Sequence, residues 1–309
     1  HSASFALLSY ASSWLKCHEP AAFLCALLNS QPMGFYSPSQ LVQDAKRHGV
    51  VVREIDVTIS GWETSLEQPA GPRGQPAVRL GLNMLKGMRE DTALRIEAAR
   101  AAGPFASVAD LARRADLDRH ALQVLAGGDA LSRLSGHRRQ ALWQAVGAVP
   151  DKDLLRPTMP DEETPALPAP SEGEDILGDY RSHGLTLRRH PLALLRETLL
   201  KHRFMPAETL NTYTSNMVAR ACGMVTVRQR PGTAKGVIFM TLEDETGSVN
   251  VIVWPTLLEQ QRREVLSAPL LGVYGVWQQE GMVRHLVAKR LVDMSHLLGR
   301  LPTTSRDFC

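Results

Sequence analysis

Between residues 150 and 178 the chain reads PDKDLLRPTMPDEETPALPAPSEGEDILG, a run in which prolines and carboxylates outnumber large apolar side chains. Proline lacks a backbone donor and interrupts helix and sheet alike, and so little apolar surface cannot offset the entropy of ordering the run. No single core can be built through it. The chain must therefore fold as units on either side, and residues 150–180 are expected to be an acidic, flexible linker. The full 309 residues, 44% apolar and 22% charged, suffice for two or three such units.

Upstream of the break the apolar periodicity is helical. Residues 1–30 predict one or two helices, with Pro20 at a first helical position and Phe23, Leu24, Leu27 and Leu28 at helical spacing. Residues 38–49 predict another, ended by Gly49, and Val50 to Val57 then alternates as a short strand. Glu67 to Pro76 (EQPAGPRGQP) reads as a loop that closes this first unit. From Val78 the pattern turns helical again, through Leu82, Leu85, Ile96, Leu111, Leu122, Leu125 and Leu131, to a close near Val149.

Downstream, after a basic helical stretch around Pro191 to Lys201, the texture changes at Ala221. Five segments rich in β-branched and aromatic residues follow: Met224 to Arg228, Val237 to Glu243, Ser248 to Trp254, Leu270 to Gln278 and Met282 to Val292. A helix, Thr256 to Leu266, sits between the third and the fourth. Five strands with a helix in that place is the order of an OB-fold barrel, a common platform for nucleic acid.

Other classes are excluded by what the chain lacks. The longest apolar runs, Ala21 to Leu28 and Ala268 to Trp277, fall short of the roughly 20 residues of a membrane helix. Cys17, Cys25, Cys222 and Cys309 have neither zinc-site spacing nor the density of a disulfide scaffold, so a reduced, cytoplasmic protein with no membrane partner is expected. Net charge is only +3, but Lys and Arg against Asp and Glu number 11 and 7 over residues 77–147, 2 and 9 over 150–180, and 6 and 1 over 181–203. Two basic blocks flank an acidic strip.

The basic blocks carry the candidate sites. Leu82-Asn-Met-Leu-Lys-Gly-Met-Arg-Glu resembles the turn of a helix-hairpin-helix motif, which points backbone N–H groups at a DNA phosphate. Arg89 stands where that hairpin usually has its second glycine, and Lys86, Gly87 and Arg89 are candidate phosphate contacts beside the alternative of a plain bundle turn. Gly127-Gly128 at a later turn, and Ser135, His137, Arg138 and Arg139 at a helix start, combine free amides, a helix dipole and two guanidiniums. Their alternative is a solvated helix cap. In the barrel, Arg228, Arg230 and Lys235 form a basic loop, and Arg284, His285, Lys289 and Arg290 add cations along the fifth strand. Phe239 and Trp254 are read first as barrel core and second as stacking platforms for bases. The acidic clusters Glu243-Asp244-Glu245 and Asp161-Glu162-Glu163 read as turn and linker, leaving no catalytic residue, metal ligand or cofactor site in the chain.

At these residues a family likeness emerges. His1-Ser-Ala-Ser-Phe-Ala, Trp14-Leu-Lys16 and Glu19-Pro-Ala-Ala-Phe23 resemble the fingers of C-family bacterial DNA polymerases, the polymerase III alpha type, with Ser2 and Glu19 replacing the usual Ala and Tyr. The likeness continues through Gly81 to Gly87, Ser182-His-Gly-Leu, His190-Pro191 and Ala234 to Gly247. It implies that His1 and Lys16 belong to the fingers, that the catalytic aspartates and their Mg2+ lie upstream, and that the fragment alone is inactive. The chain is expected to end just after the barrel, at Ser305-Arg-Asp-Phe308, and no clamp-binding peptide stands between the helical unit and the barrel. Both features favour the error-prone, translesion branch, whose partners would be a Y-family-like polymerase and a RecA-like accessory protein.

The fold class expected is a multidomain α plus β chain. Its parts are a fingers remainder (1–75), a helix-hairpin-helix unit (76–149), the acidic linker (150–180), a basic helical connector (181–218), a five-stranded OB-fold barrel (219–295) and a tail (296–309). The hairpin unit would hold primer-template duplex and the barrel single-stranded template. The rival readings are a non-enzymatic nucleic-acid-binding subunit and a protein-interaction scaffold.

Overall fold

The computed structural model describes residues 2–34, 36–69, 74–148, 165–299 and 306–308. They fall into two units, His1–Leu187 and Arg188–Cys309.

The first unit begins with α1 (Ser2–His18) and α2 (Pro20–Asn29), with Pro20 in the first turn, where its missing N–H costs nothing. Helix α3 (Pro38–Arg47) starts on a capping box: Ser37 accepts from the Gln40 amide while the Gln40 side chain accepts from the Ser37 amide. Next comes a small sheet of β1 (Val52–Arg53), β2 (Ser65–Pro69) and β3 (Pro76–Arg79), in the order β1-β3-β2.

This sheet corrects the reading of Glu67 to Pro76 as a closing loop. Its two ends are antiparallel strands, with Leu66 opposite Val78 and Glu67 opposite Ala77, while residues 70–73 lie outside the described set. The prolines sit at strand ends, where an absent donor is least costly, and Pro and Gly mark only the turn between the strands. Val78 is accordingly strand rather than helix, and the ladder runs across the boundary expected at residue 75. One core spans both sides: Leu24, Leu28 and Val42 belong to the same cluster as Leu80, Leu82 and Leu85.

The helices α4 (Glu90–Ala101), α5 (Val108–Arg114), α6 (Arg119–Gly127), α7 (Ser132–Ser135) and α8 (Arg138–Gly147) complete that core around Ile96, Leu111, Leu122, Leu125 and Leu131. Ser107 and Asp118 cap α5 and α6 by accepting the backbone N–H three residues on. The linker expectation then fails in part. Residues 149–164 lie outside the described set, but Glu172–His183 form a helix, α9, opened by a Ser171–Glu174 capping box and ended by Gly184 in the left-handed region. Ile176 and Tyr180, one turn apart, are buried. The carboxylates that looked solvating instead meet arginines of α8, as described below.

The second unit contains α10 (Pro191–Lys201) and α11 (Ala207–Leu210), then β4 (Val218–Gln229), β5 (Ile238–Glu243), β6 (Ser248–Val253), α12 (Pro255–Gln260), α13 (Arg262–Ser267), β7 (Leu270–Glu280) and β8 (Val283–Asp293). Strand order β5-β6-β8-β7-β4, with β4 also paired to β5, closes a five-stranded barrel. The β6–β8 pairing is parallel and the others are antiparallel. The inserted helix falls between the third and fourth strands as the sequence predicts, though it is two short helices. A last strand, β9 (Arg306–Phe308), lies parallel to β4 within the expected tail. Trp277 fills the barrel core with Val251, Val253, Leu271, Val273 and Leu286.

Candidate nucleic-acid interface

In the first unit the hairpin from Gly81 to Arg89 is anchored by buried Leu85 and Met88, which leaves Lys86 and Gly87 exposed. Gly87 has φ 87°, a conformation L side chains rarely adopt. Both flanking cations are already engaged. The Lys86 amide donates to the Ser182 carbonyl at 2.8 Å and its Nζ to the Tyr180 carbonyl at 3.3 Å. Arg89 donates twice to Asp91, at 3.0 and 2.7 Å, and these hydrogen bonds hold the Asp91 carboxyl below its ordinary range. Glu90 and Asp91 also occupy the first turn of α4, so its positive end faces carboxylates already.

The second candidate cluster in this unit is occupied by the chain itself. A Cβ on Gly128 would stand 2.1 Å from Leu85 Cδ2, so this glycine permits close packing, and the Gly127 carbonyl accepts from Ser182 Oγ at 2.7 Å. Ser135 Oγ donates to the Leu131 carbonyl. His137 caps α8, its Nδ1 accepting from the Gln140 amide at 3.2 Å, while Nε2 lies 3.0 Å from the Leu167 carbonyl. Arg138 is buried and donates to the Asp175 carbonyl at 2.6 Å, to the Asp175 carboxylate at 2.9 Å and to the Asp179 carboxylate. Arg139 reaches the Pro168 carbonyl at 2.9 Å and Glu174 at 3.1 Å. A guanidinium matches carboxylate and phosphate with the same fork, and here carboxylates of α9 hold it.

The barrel presents a different surface. Arg228, expected in the basic loop, is instead buried at the end of β4: its Nε donates to the Val265 carbonyl at 2.8 Å and its Nη2 to the Ala268 carbonyl at 2.5 Å. It ties β4 to the C-terminal end of α13. Arg230 and Lys235 are exposed in the β4–β5 loop. A Cβ on Gly236 would lie 3.6 Å from Pro255 and 3.8 Å from the Arg230 guanidinium, which brings this loop beside the end of β6.

Phe239 and Trp254 are surface residues, 38% and 51% exposed, which corrects their first reading as core. Val249, Val251 and Val253 alternate inward along β6, so Asn250, Ile252 and Trp254 share the outer side, and Phe239 of β5 lies directly across from Ile252. The outer wall of β5 and β6 thus carries two aromatics beside two exposed cations. On β8, Arg284, Lys289 and Arg290 are exposed, and His285 Nε2 is 3.1 Å from Gln278 Oε1. Lys16 pairs with Asp44 at 2.8 Å, and His1 lies outside the described residues.

The acidic run after β5 is a structured turn. Asp244 accepts from the amides of Ala207, Thr246 and Gly247 at 2.8, 2.8 and 3.0 Å, and from Arg196 at 3.3 Å. Glu245 takes two hydrogen bonds from Arg196, at 2.5 and 2.8 Å; burial alone would raise its carboxyl, but these bonds hold it below its ordinary range. Asp161-Glu162-Glu163 lies outside the described residues. Among the described residues no group of three or more His, Cys, Asp or Glu is placed to hold a metal ion, and no helix is long and apolar enough to cross a membrane. Burial pushes the Cys222 thiol up to about 12, so it stays protonated and unreactive at neutral pH.

Residues 49–141 match the family described as helix-hairpin-helix motif, and residues 219–293 match the OB-fold nucleic acid binding domain. The first match, like the sheet, crosses residue 75. Hairpin unit, closed barrel and the barrel's basic, aromatic wall together define a nucleic-acid-binding protein. The chain is 65% identical over 302 residues to the error-prone DNA polymerase of Bordetella parapertussis strain 12822, covering 97% of this chain and 29% of that protein. To the error-prone DNA polymerase of Burkholderia pseudomallei strain K96243 it is 61% identical over 312 residues, covering 100% and 29%. The chain thus matches a part of these error-prone DNA polymerases over nearly its whole length, and spans 29% of the length of these relatives. Among solved structures, the second OB-fold domain of replication protein A from Methanococcus maripaludis is 17% identical over 26% of this chain and 88% of its own, with a TM-score of 0.21, a likeness too slight to add anything.

Proposed function

We propose that this chain is the nucleic-acid-gripping part of a DNA-directed DNA polymerase that acts in damage-induced mutagenesis and translesion synthesis in the cytoplasm. The barrel holds single-stranded template on its β5–β6 wall, and the helical unit lies against primer-template duplex through its Gly87 hairpin. The observation that carries this reading is the exposure of Phe239 and Trp254 beside Arg230 and Lys235. Bases stack on exposed aromatics whatever their sequence, and unengaged cations along the same wall neutralise the phosphates between them. Binding is accordingly independent of sequence.

Nucleotidyl transfer needs rigid carboxylates around divalent cations, Mg2+ in this proposal. The carboxylates described here do not fit that task, since Asp244 and Glu245 are consumed by Arg196 and by backbone amides. Catalysis is therefore assigned to the part of the enzyme outside this chain, and the chain alone is inactive. The same reading assigns a Y-family-like polymerase and a RecA-like accessory protein as partners of the complete enzyme.

Titration of labelled single strand and primer-template duplex tests the proposal. Affinity is expected to fall steeply with salt, because each neutralised phosphate releases counterions. Replacing Arg230 and Lys235 by Ala should weaken single-strand binding more than duplex binding. No binding of either DNA at low salt would sink the gripping role, and an equal loss on both would move the single-strand site away from the β4–β5 loop.

A further inference from the structure

The barrel has a second outer wall, formed by β4, β7 and β8, on the side away from Phe239 and Trp254. Across it runs a row of three residues in register: Arg220 opposite Tyr274, and Tyr274 opposite Arg290. Both guanidiniums lie against the tyrosine ring, their central carbons 4.9 and 5.5 Å from its centroid. Phe204 packs its edge on the same ring at 5.3 Å, and it can do so because Gly272 has no side chain: a Cβ there would stand 2.9 Å from Phe204 Cζ. Arg220 is held further by donating Nη1 to the His202 carbonyl at 3.1 Å.

The row is ringed by more cations. Lys201 and Arg203 are exposed at the end of α10, next to the carbonyl that Arg220 grips, and Lys289 is exposed beside Arg290 where the β7–β8 register shifts. None of Lys201, Arg203, Arg220, Lys289 and Arg290 has a carboxylate partner among the described residues. Asp293, further along β8, spends its carboxylate on the amide and hydroxyl of Ser295. In the first unit, by contrast, Arg53, Arg79, Arg89, Arg113, Arg114, Arg138 and Arg139 all sit in ion pairs.

We propose that Arg220, Tyr274 and Arg290, with Lys201, Arg203 and Lys289, form a second nucleic-acid site on the β4–β7–β8 wall, which binds the phosphodiester backbone of a single strand. The inference rests on the barrel being a nucleic-acid platform, and it adds a contact that the β5–β6 wall does not make. Stacking on Tyr274 fixes the planes of the two forks before any ligand arrives, which removes most of the entropy cost of ordering them. The ring itself is flanked by guanidiniums and offers bases no open face. The wall therefore takes phosphates, with five cations spread from the helix end across three strands to meet a linear polyanion.

Anisotropy titrations of the whole 309-residue chain with thymidine oligonucleotides of two lengths separate the walls. One OB-fold occupies roughly 4–16 nucleotides, so an oligonucleotide of about 10 fills the β5–β6 wall while one of about 30 can reach both. Arg220→Ala with Arg290→Ala should leave the shorter strand's affinity unchanged, weaken the longer strand about ten-fold, and lower its salt slope by about 1.4, two contacts at about 0.7 each. The charge-keeping pair, Arg220→Lys with Arg290→Lys, should restore the slope, which shows that the Ala effect is not misfolding. An unchanged affinity and slope for the longer strand in the Ala pair would overturn the second site. An equal loss on both lengths would do the same by merging the row with the first wall. Binding of poly-glutamate that the Ala pair loses, with the longer strand unaffected, would assign the row to an acidic protein instead. If the unaltered chain binds neither length, the proposed function fails, and this site with it.

Discussion

At the scale of single residues, the two arginines that the sequence groups with phosphate contacts and the structure buries are the most informative. Arg138 is enclosed by Asp175 and Asp179, and Arg228 by the Val265 and Ala268 carbonyls. A buried ion pair that loses one partner leaves the other uncompensated, at about 3–5 kcal/mol. Arg138→Ala is therefore expected to cost about 3–5 kcal/mol, read as a lowered denaturant midpoint of the first unit. Arg228→Ala and Arg230→Ala should divide cleanly. The first strands buried carbonyls and lowers the barrel's unfolding midpoint, whereas the second leaves the midpoint in place and weakens single-strand affinity. If Arg228→Ala were as stable as the unaltered chain, the clamp on α13 would be energetically empty.

At the scale of elements, the alternation of β6 decides which aromatics face out. Trp254→Ala should reduce single-strand affinity by about 1–3 kcal/mol. Its effect on barrel stability should stay within about 0.5 kcal/mol, as for an ordinary surface substitution. A large stability loss without an affinity loss would return this tryptophan to a packing role. The barrel was legible in the sequence because a strand's inward residues recur every second position and its turns carry Gly, Pro and Asp. Val249, Val251 and Val253 already placed Ile252 and Trp254 on the other side, so parity, applied at that point, finds the aromatic wall. Helix α9 was not legible in the same way. Its acids lower the apparent hydrophobicity of residues 172–183, and the arginines that neutralise them lie 35 to 41 residues earlier. Pairing at such separation leaves no local signal, although the Ser171–Glu174 capping box did mark where the helix begins. The β2–β3 hairpin was hidden for the converse reason: its turn is so rich in Pro and Gly that short strands on either side read as part of it.

At the scale of the whole molecule, charge is arranged differently in the two units. Among the described residues the first pairs most of its arginines with its own carboxylates, and the barrel leaves Arg220, Arg230, Lys235, Lys289 and Arg290 open to polyanions. Each unit nevertheless carries a carboxylate held low by arginine: Glu67 by hydrogen bonds from Arg79 and Arg53, and Glu245 by Arg196 against the effect of burial. A carboxyl with a folded pKa below its unfolded value of about 4.3 contributes stability that is fully present above that pH. The contribution is lost as pH falls through the folded pKa. Thermal unfolding followed by circular dichroism should thus be nearly flat from neutral pH down to about 5 and fall steeply below about 4. Glu67→Gln should make the acid limb shallower. An acid limb identical to that of the unaltered chain would mean that the Arg53–Glu67–Arg79 group contributes nothing to the linkage.

The seat of α9 against α8 has a practical consequence for dissecting this protein. The proline-rich stretch is the place where a protease or a cloning primer would ordinarily be aimed, and a cut there would release residues 165–187 from the unit they complete. The stump would bare Arg138 and the Leu185 pocket, and its solubility and DNA affinity would report the wound rather than the domain. The severable joint is after Leu187.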